Sequence, residues 1–125
     1  MKLNLNQITI PVRDVEKSIS FYEMLGLKLI VQALPHYARF VCKSGDSTFS
    51  LHQSNKFGTD NIWIYFETES LDQDVIELQR KGVVFESLPT EQKWLWKEAR
   101  LKDPDGNQLI LYYAGKNRKD PPWKI

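Results

Sequence analysis

One βαβββ pattern is written twice in this chain, and the two copies keep a common register. Gln7-Ile8-Thr9-Ile10 leads through Asp14-Val15 into an amphipathic run ending at Leu25-Gly26-Leu27. Trp63-Ile64-Tyr65-Phe66 leads through Ser70-Leu71 into a second run ending at Lys81-Gly82-Val83. Gln7 and Trp63, Val15 and Leu71, and Gly26 and Gly82 are each 56 positions apart (63 − 7, 71 − 15, 82 − 26). A repeat at fixed spacing sets the architecture into which every other motif must fit, because one copy alone cannot bury its hydrophobic face. The expectation is a single domain of pseudo-two-fold design with a shared cleft, and a cleft is a natural place for a ligand.

Within the first copy, Leu5 to Val12 alternates as a half-buried strand does, with Gln7 and Thr9 on one face and Ile8 and Ile10 on the other. Asp14 is placed to cap a helix carrying Val15, Ile19, Tyr22 and Leu25 at helical spacing, and Gly26 ends it. Strands follow at Lys28 to Gln32, Tyr37 to Lys43 and Thr48 to Gln53, the last two joined through Ser44-Gly45-Asp46. Residues 54–61 have linker composition. The second copy reads as a strand from Ile62 to Thr68, a helix from Leu71 to Lys81, a strand at Val83 to Ser87, and a pair at Trp94 to Lys102 and Gln108 to Tyr113. Asp103-Pro104-Asp105-Gly106-Asn107 turns that pair and is the strongest turn signal in the chain. The domain plan is therefore one domain over 1–125: first module 5–53, linker 54–61, second module 62–113, C-terminal tail 114–125.

Composition excludes several classes. A formal net charge of +1 gives no electrostatic case for nucleic acid or an anionic membrane. The basic stretch Lys116-Asn117-Arg118-Lys119 is broken by Asp120-Pro121-Pro122 and reads as a solvated terminus. A lone cysteine, Cys42, has no internal disulfide partner and reads as a small strand residue rather than a nucleophile. No signal core and no membrane-length apolar run are present, so a cytoplasmic location is expected.

The stretch Ile8-Thr9-Ile10-Pro11-Val12-Arg13-Asp14-Val15-Glu16-Lys17-Ser18-Ile19-Ser20-Phe21-Tyr22 with Leu25-Gly26-Leu27 resembles the opening module of the vicinal oxygen chelate superfamily. That group includes glyoxalase I, bleomycin-resistance proteins, fosfomycin-resistance enzymes and extradiol dioxygenases. Phe66-Glu67-Thr68-Glu69-Ser70-Leu71-Asp72 is similar to the start of its second module, and Asp103-Pro104-Asp105-Gly106-Asn107 to its signature turn. Trp94-Leu95-Trp96-Lys97-Glu98-Ala99-Arg100 and the ending Pro121-Pro122-Trp123 resemble a bacterial glyoxalase-like branch. The resemblance implies an α+β fold, two βαβββ modules forming an open mixed β-barrel, and a homodimer. Catalytic relatives hold a divalent ion with residues of the first and last strand of each module. Mapped here, those positions are Gln7, Ser50, Trp63 and Ile110, of which only Gln7 is a credible ligand and Ser50 a weak one. Three or four nitrogen, oxygen or thiolate donors are needed for such an ion. The usual metal site is therefore expected to be lost, with no cofactor; a divalent metal at a displaced site is the alternative.

Every second strand residue shares a face, so the four positions extend to Thr9, to Thr48 and His52, to Tyr65 and Glu67, and to Gln108 and Tyr112. The superfamily's register adds Trp96, Glu98 and Arg100 on the strand before the signature turn, unless a bulge flips that set. Ligand-binding candidates are Gln7, Thr9, Ser50, Trp63, Tyr65, Trp96 and Arg100. Catalytic candidates are His52, Glu67 and Glu98, against the alternative that both carboxylates pair with Arg100 and Lys97. His36, Tyr37 and Arg39 read as rim or dimer-contact residues. Three functions follow in order: a metal-free small-molecule binding protein like the bleomycin-resistance branch; a glyoxalase I-type lyase or isomerase, ahead of a dioxygenase, in which a carboxylate takes a proton alpha to a carbonyl; and an interaction module whose cleft its own side chains fill.

Overall fold

A computed structural model describes residues 1–2, 4–58 and 62–125. The end of the expected linker, 59–61, lies outside the described residues. The first module runs β1 (Gln7–Val12), α1 (Val15–Met24), β2 (Lys28–Ala33), β3 (Tyr37–Val41) and β4 (Thr48–Gln53). The second runs β5 (Trp63–Glu67), α2 (Leu71–Arg80), β6 (Phe85–Glu91), β7 (Lys97–Lys102) and β8 (Gln108–Tyr113), followed by a 3₁₀ turn, Gly115–Arg118. The sheets are ordered β1-β4-β3-β2 and β5-β8-β7-β6, each with its first strand parallel to its last and the other pairs antiparallel. Gln7 and Trp63 open equivalent strands, so the repeat in the sequence is a repeat in topology.

Each helix covers one sheet face for the same reason. Val15, Ile19 and Tyr22 on α1, and Leu71, Val75 and Leu78 on α2, recur at helical spacing and are buried. Tyr22 packs at 4.8 Å from the Phe49 ring and 6.0 Å from Phe40. Asp14 caps α1 by accepting a hydrogen bond from the Lys17 amide at 3.1 Å. Both helices stop alike. Gly26 (φ +95°) donates to the Glu23 carbonyl and Leu27 to that of Tyr22, while Gly82 (φ +94°) donates to Gln79 and Val83 to Leu78. A left-handed residue at this point favours glycine, which has no Cβ to clash.

The chain forms two compact units, and the Asp103–Gly106 turn groups with the first rather than with the hairpin it closes. Tyr22 donates a 2.7 Å hydrogen bond to Asp103 Oδ2, and the Asp103 Oδ1 atom accepts from the Asp105 amide at 2.9 Å. Burial, and then the negative Asp103, push the Tyr22 hydroxyl far above its ordinary range. The second module departs from the sequence reading in one hairpin. β7 begins at Lys97 rather than Trp94, and β6 reaches Glu91 through register shifts rather than stopping at Ser87. The intervening turn places Leu95 at φ +68°, a conformation usually announced by glycine or asparagine, so no turn residue marked it.

Candidate functional site

The strand period places the polar residues of each module on the sheet face opposite its helix. In the first module Ile10, Val12, Phe49 and Leu51 are buried, while Gln7, Thr9, Thr48, Ser50 and His52 share the other face by the β1–β4 register. Tyr37 and Arg39 join them, paired in register with His52 and Ser50. Gln7 Nε2 donates to Ser50 Oγ at 2.9 Å, Ser50 Oγ meets the Tyr37 hydroxyl at 2.8 Å, and Arg39 Nε donates to that hydroxyl at 2.8 Å. Thr48 Oγ1 donates to Gln7 Oε1. Tyr37 and Arg39, expected at the rim, thus lie on this face. Counting back across a three-residue Ser44-Gly45-Asp46 turn sets Arg39 opposite Leu51; the observed register, with Val41 opposite Thr48, sets it opposite Ser50.

In the second module the Glu98–Tyr112 and Arg100–Ile110 pairs put Glu98 and Arg100 on the same face as Trp63, Tyr65 and Glu67. Trp96, just before β7, stacks on Tyr112 at 4.9 Å and 29°, and Tyr65 meets both rings edge-on at 5.8 and 5.3 Å. Pairs of this geometry contribute about 0.5–1.5 kcal/mol each beyond area burial. Trp96 is anchored by its indole N–H to the Asn117 carbonyl at 3.2 Å and packs on Ile110, Tyr112 and Ala114. Trp63, by contrast, is 54% exposed and Tyr65 36%. The Arg100 guanidinium lies over the Trp63 ring at 4.9 Å. Glu98 is 1% exposed; its Oε2 accepts from the Trp94 indole at 2.8 Å and its Oε1 faces Arg100 Nη2 at 3.7 Å. Burial first, then the Glu98 carboxylate, raise the Tyr65 hydroxyl, with Arg100 opposing; burial and Glu67 raise that of Tyr112. Both phenols therefore stay protonated donors at neutral pH.

Glu67 has a different environment. Its Oε2 accepts from the amides of Ala114 and Gly115 at 2.8 and 3.0 Å, at the start of the 3₁₀ turn, and Arg118 Nε lies 3.7 Å from Oε1. Lys97 pairs with Asp72 of α2 at 2.9 Å, on the helix side of the sheet, not with either carboxylate. His52 stays exposed on the first module's face. Trp94 and Tyr112 were not singled out from sequence as contacts of the carboxylates; only the turn at 92–96 brings the Trp94 indole back onto Glu98.

The residues at the four inherited metal positions do not suit a divalent ion. Gln7 turns its amide nitrogen to Ser50 while Thr48 holds its oxygen, the Ser50 hydroxyl is already bonded, Ile110 is hydrocarbon, and Trp63 faces a guanidinium. Among the described residues no three His, Cys, Asp or Glu side chains gather closely enough to hold a metal. Hollows of about 440 and 450 Å³ lie at the two equivalent strand–helix junctions, one lined by Arg13, Asp14 and Leu34, the other by Ser70, Asp72 and Lys97. They are away from these polar faces.

Comparison with known proteins agrees with the repeat. Residues 4–111 match the model of the glyoxalase/bleomycin resistance protein/dioxygenase superfamily. The chain belongs to that superfamily. YraH, an uncharacterized protein of Bacillus subtilis, is 27% identical over 127 residues, covering 88% of this chain and 98% of YraH. A crystal structure of a superfamily member from Sphaerobacter thermophilus superposes with a TM-score of 0.74 at 24% identity, covering 90% of this chain and 98% of that one. A bleomycin-binding protein complexed with bleomycin superposes at 0.72 with 19% identity, covering 90% and 98%. At these identities the structural likeness is one of fold. No helix among the described residues is long and apolar enough to cross a membrane.

Proposed function

We propose that this superfamily member binds a planar, amphipathic organic molecule on the aromatic face of its second module, without a metal ion. One observation carries the reading: Trp63 and Tyr65 are left open to solvent beside a rigid base of Trp96 and Tyr112, and a guanidinium lies over the Trp63 ring. Exposed aromatic rings on a packed base offer apolar area with little entropy to lose. Arg100 adds a positive charge suited to a ligand carboxylate, and buried Glu98 holds it in place. Precedent within the fold comes from the bleomycin-binding protein. The test is fluorescence titration with 8-anilinonaphthalene-1-sulfonate, a flat anionic probe. Saturable binding at one probe per chain that Trp63→Ala weakens about tenfold or more supports the reading. Equal binding by Trp63→Ala overturns it, as does a stoichiometric Zn, Ni, Mn or Fe in the purified protein.

A second reading, proton abstraction by Glu98 in a lyase or isomerase, has one observation in its favour. Glu98 Oε1 is buried and accepts no hydrogen bond. Glu67 is a weaker partner for such chemistry because backbone amides occupy its Oε2. Turnover of the methylglyoxal–glutathione hemithioacetal, lost in Glu98→Gln, would favour this reading over simple binding.

A further inference from the structure

Among the described residues of the first module, the hydrogen bonds around buried Ser50 turn the Tyr37 O–H outward, and its position points to a second ligand site. Ser50 is 0% exposed, and a buried hydroxyl hydrogen has to find an acceptor. Gln7 Nε2 lies 3.2 Å from the Ile8 carbonyl as well as 2.9 Å from Ser50 Oγ. A carbonyl only accepts, so the Gln7 atom is the donating nitrogen, shared among the Ile8 carbonyl, Thr9 Oγ1 at 3.0 Å and Ser50 Oγ, and it cannot accept the Ser50 hydrogen. The Ser50 hydrogen then goes to its remaining neighbour, the Tyr37 oxygen at 2.8 Å. That oxygen already accepts from Arg39 Nε at 2.8 Å. With two donors aimed at it, Tyr37 turns its own hydrogen away from both, and no acceptor for it exists among the described residues. Donation into the phenol, one bond of it from a cation, polarises the outward O–H.

Arg39 stands beside this donor. Its guanidinium carbon lies 5.5 Å from the centroid of the Tyr37 ring, and it has no carboxylate partner among the described residues. Arg39 is exposed and Tyr37 half-buried, so both donors are reachable. They sit two residues apart on β3 and share one sheet face with exposed His52, the register partner of Tyr37. A phenol O–H and an unpaired guanidinium, locked together by a hydrogen bond, form a preorganised receptor for an oxygen acceptor with negative charge.

We infer that Tyr37 and Arg39 form an oxyanion site that takes the carboxylate of a small organic acid. It shares no residue with the aromatic face of the second module, and it stands whether or not that face binds a ligand. Tyr37 and Arg39 would contact the anion; Ser50 and Gln7 act only by directing the phenol outward.

The probe is benzoate, followed by ¹⁵N–¹H spectra that include the Arg39 Nε–H, with neutral benzamide as control. Saturable shifts centred on Tyr37, Arg39 and Ser50 to His52, absent with benzamide, are expected. Tyr37→Phe should weaken binding about tenfold, the usual size for one hydrogen bond to a charged group, and Arg39→Gln at least as much. Ser50→Ala should change it by less than about threefold, because the Arg39–Tyr37 bond survives. Equal shifts with benzamide, wild-type affinity in Tyr37→Phe, or shifts confined to residues 63–65 and 98–100 overturn the inference. Should Tyr37→Phe not fold, the Arg39→Gln variant decides alone, since its side chain is exposed.

Discussion

Replacing Arg100 by leucine tests whether Glu98 is held as an ion beneath the aromatic face. In the wild type, Glu98 is buried to 1% exposure with one hydrogen bond from Trp94 and Arg100 at 3.7 Å. Removing the cation leaves a buried carboxylate with one neutral donor. Breaking a fully buried pair in this way costs about 3–5 kcal/mol. Here the figure is reduced, because the Arg100 side chain is 32% exposed and the gap exceeds hydrogen-bond length. A loss of about 2 kcal/mol remains, worth roughly 8 °C in melting temperature at this chain length. Glu98→Gln should lose less than about 1 kcal/mol, because a neutral amide still accepts from Trp94 and the freed guanidinium can reach water. Thermal melts of wild type, both single variants and the double variant at neutral pH give the full cycle. Equal losses for Arg100→Leu and Glu98→Gln would refute the reasoning.

Three further outcomes follow from the same geometry. Tyr22→Phe removes a buried hydrogen bond to the Asp103 carboxylate and should lower stability by about 1.5–3 kcal/mol, read from urea unfolding. Tyr22 also resists ionisation when folded, so wild-type stability should be intact below the ordinary tyrosine value of 10.0 and fall as pH rises above it. The variant should lack roughly 1.4 kcal/mol per pH unit of that fall, and an unchanged alkaline slope would count against the burial argument. Glu67→Ala strips the acceptor from the Ala114 and Gly115 amides and should speed their hydrogen exchange while leaving β5 protected. Unchanged exchange at those two amides would mean that Glu67 does not hold the turn. Gly82→Ala places a Cβ at φ +94° and should destabilise the end of α2 by about 1 kcal/mol, measurable as a lowered melting temperature.

The sequence by itself determined the repeat, the helix faces and the strand faces. Those depend on local periods, 3.6 for Val15, Ile19 and Tyr22 and 2 for Trp63, Tyr65 and Glu67, and a period survives whatever the rest of the chain does. That Glu98 and Arg100 share a face with Trp63 was implied by the family resemblance alone, and it took the regular β7–β8 pairing of the structure to decide it. Tertiary structure alone decided what each side chain meets. Alternation says that Glu67 and Glu98 point the same way; it cannot say that one takes the backbone amides of a 3₁₀ turn while the other is sealed beneath Trp94 and Arg100. Those partners come from distant or irregular segments: the turn at 115–118, which followed no periodic signal, and the bend at Leu95, where a left-handed residue is not a glycine. The Asp103 turn was legible as a turn, yet nothing local showed that it groups with the first unit or that Asp103 accepts a hydrogen bond from Tyr22, 81 residues earlier. Burial and pairing are sums over contacts that close only when the chain has folded, so the chemistry of these carboxylates was never written in their own neighbourhood.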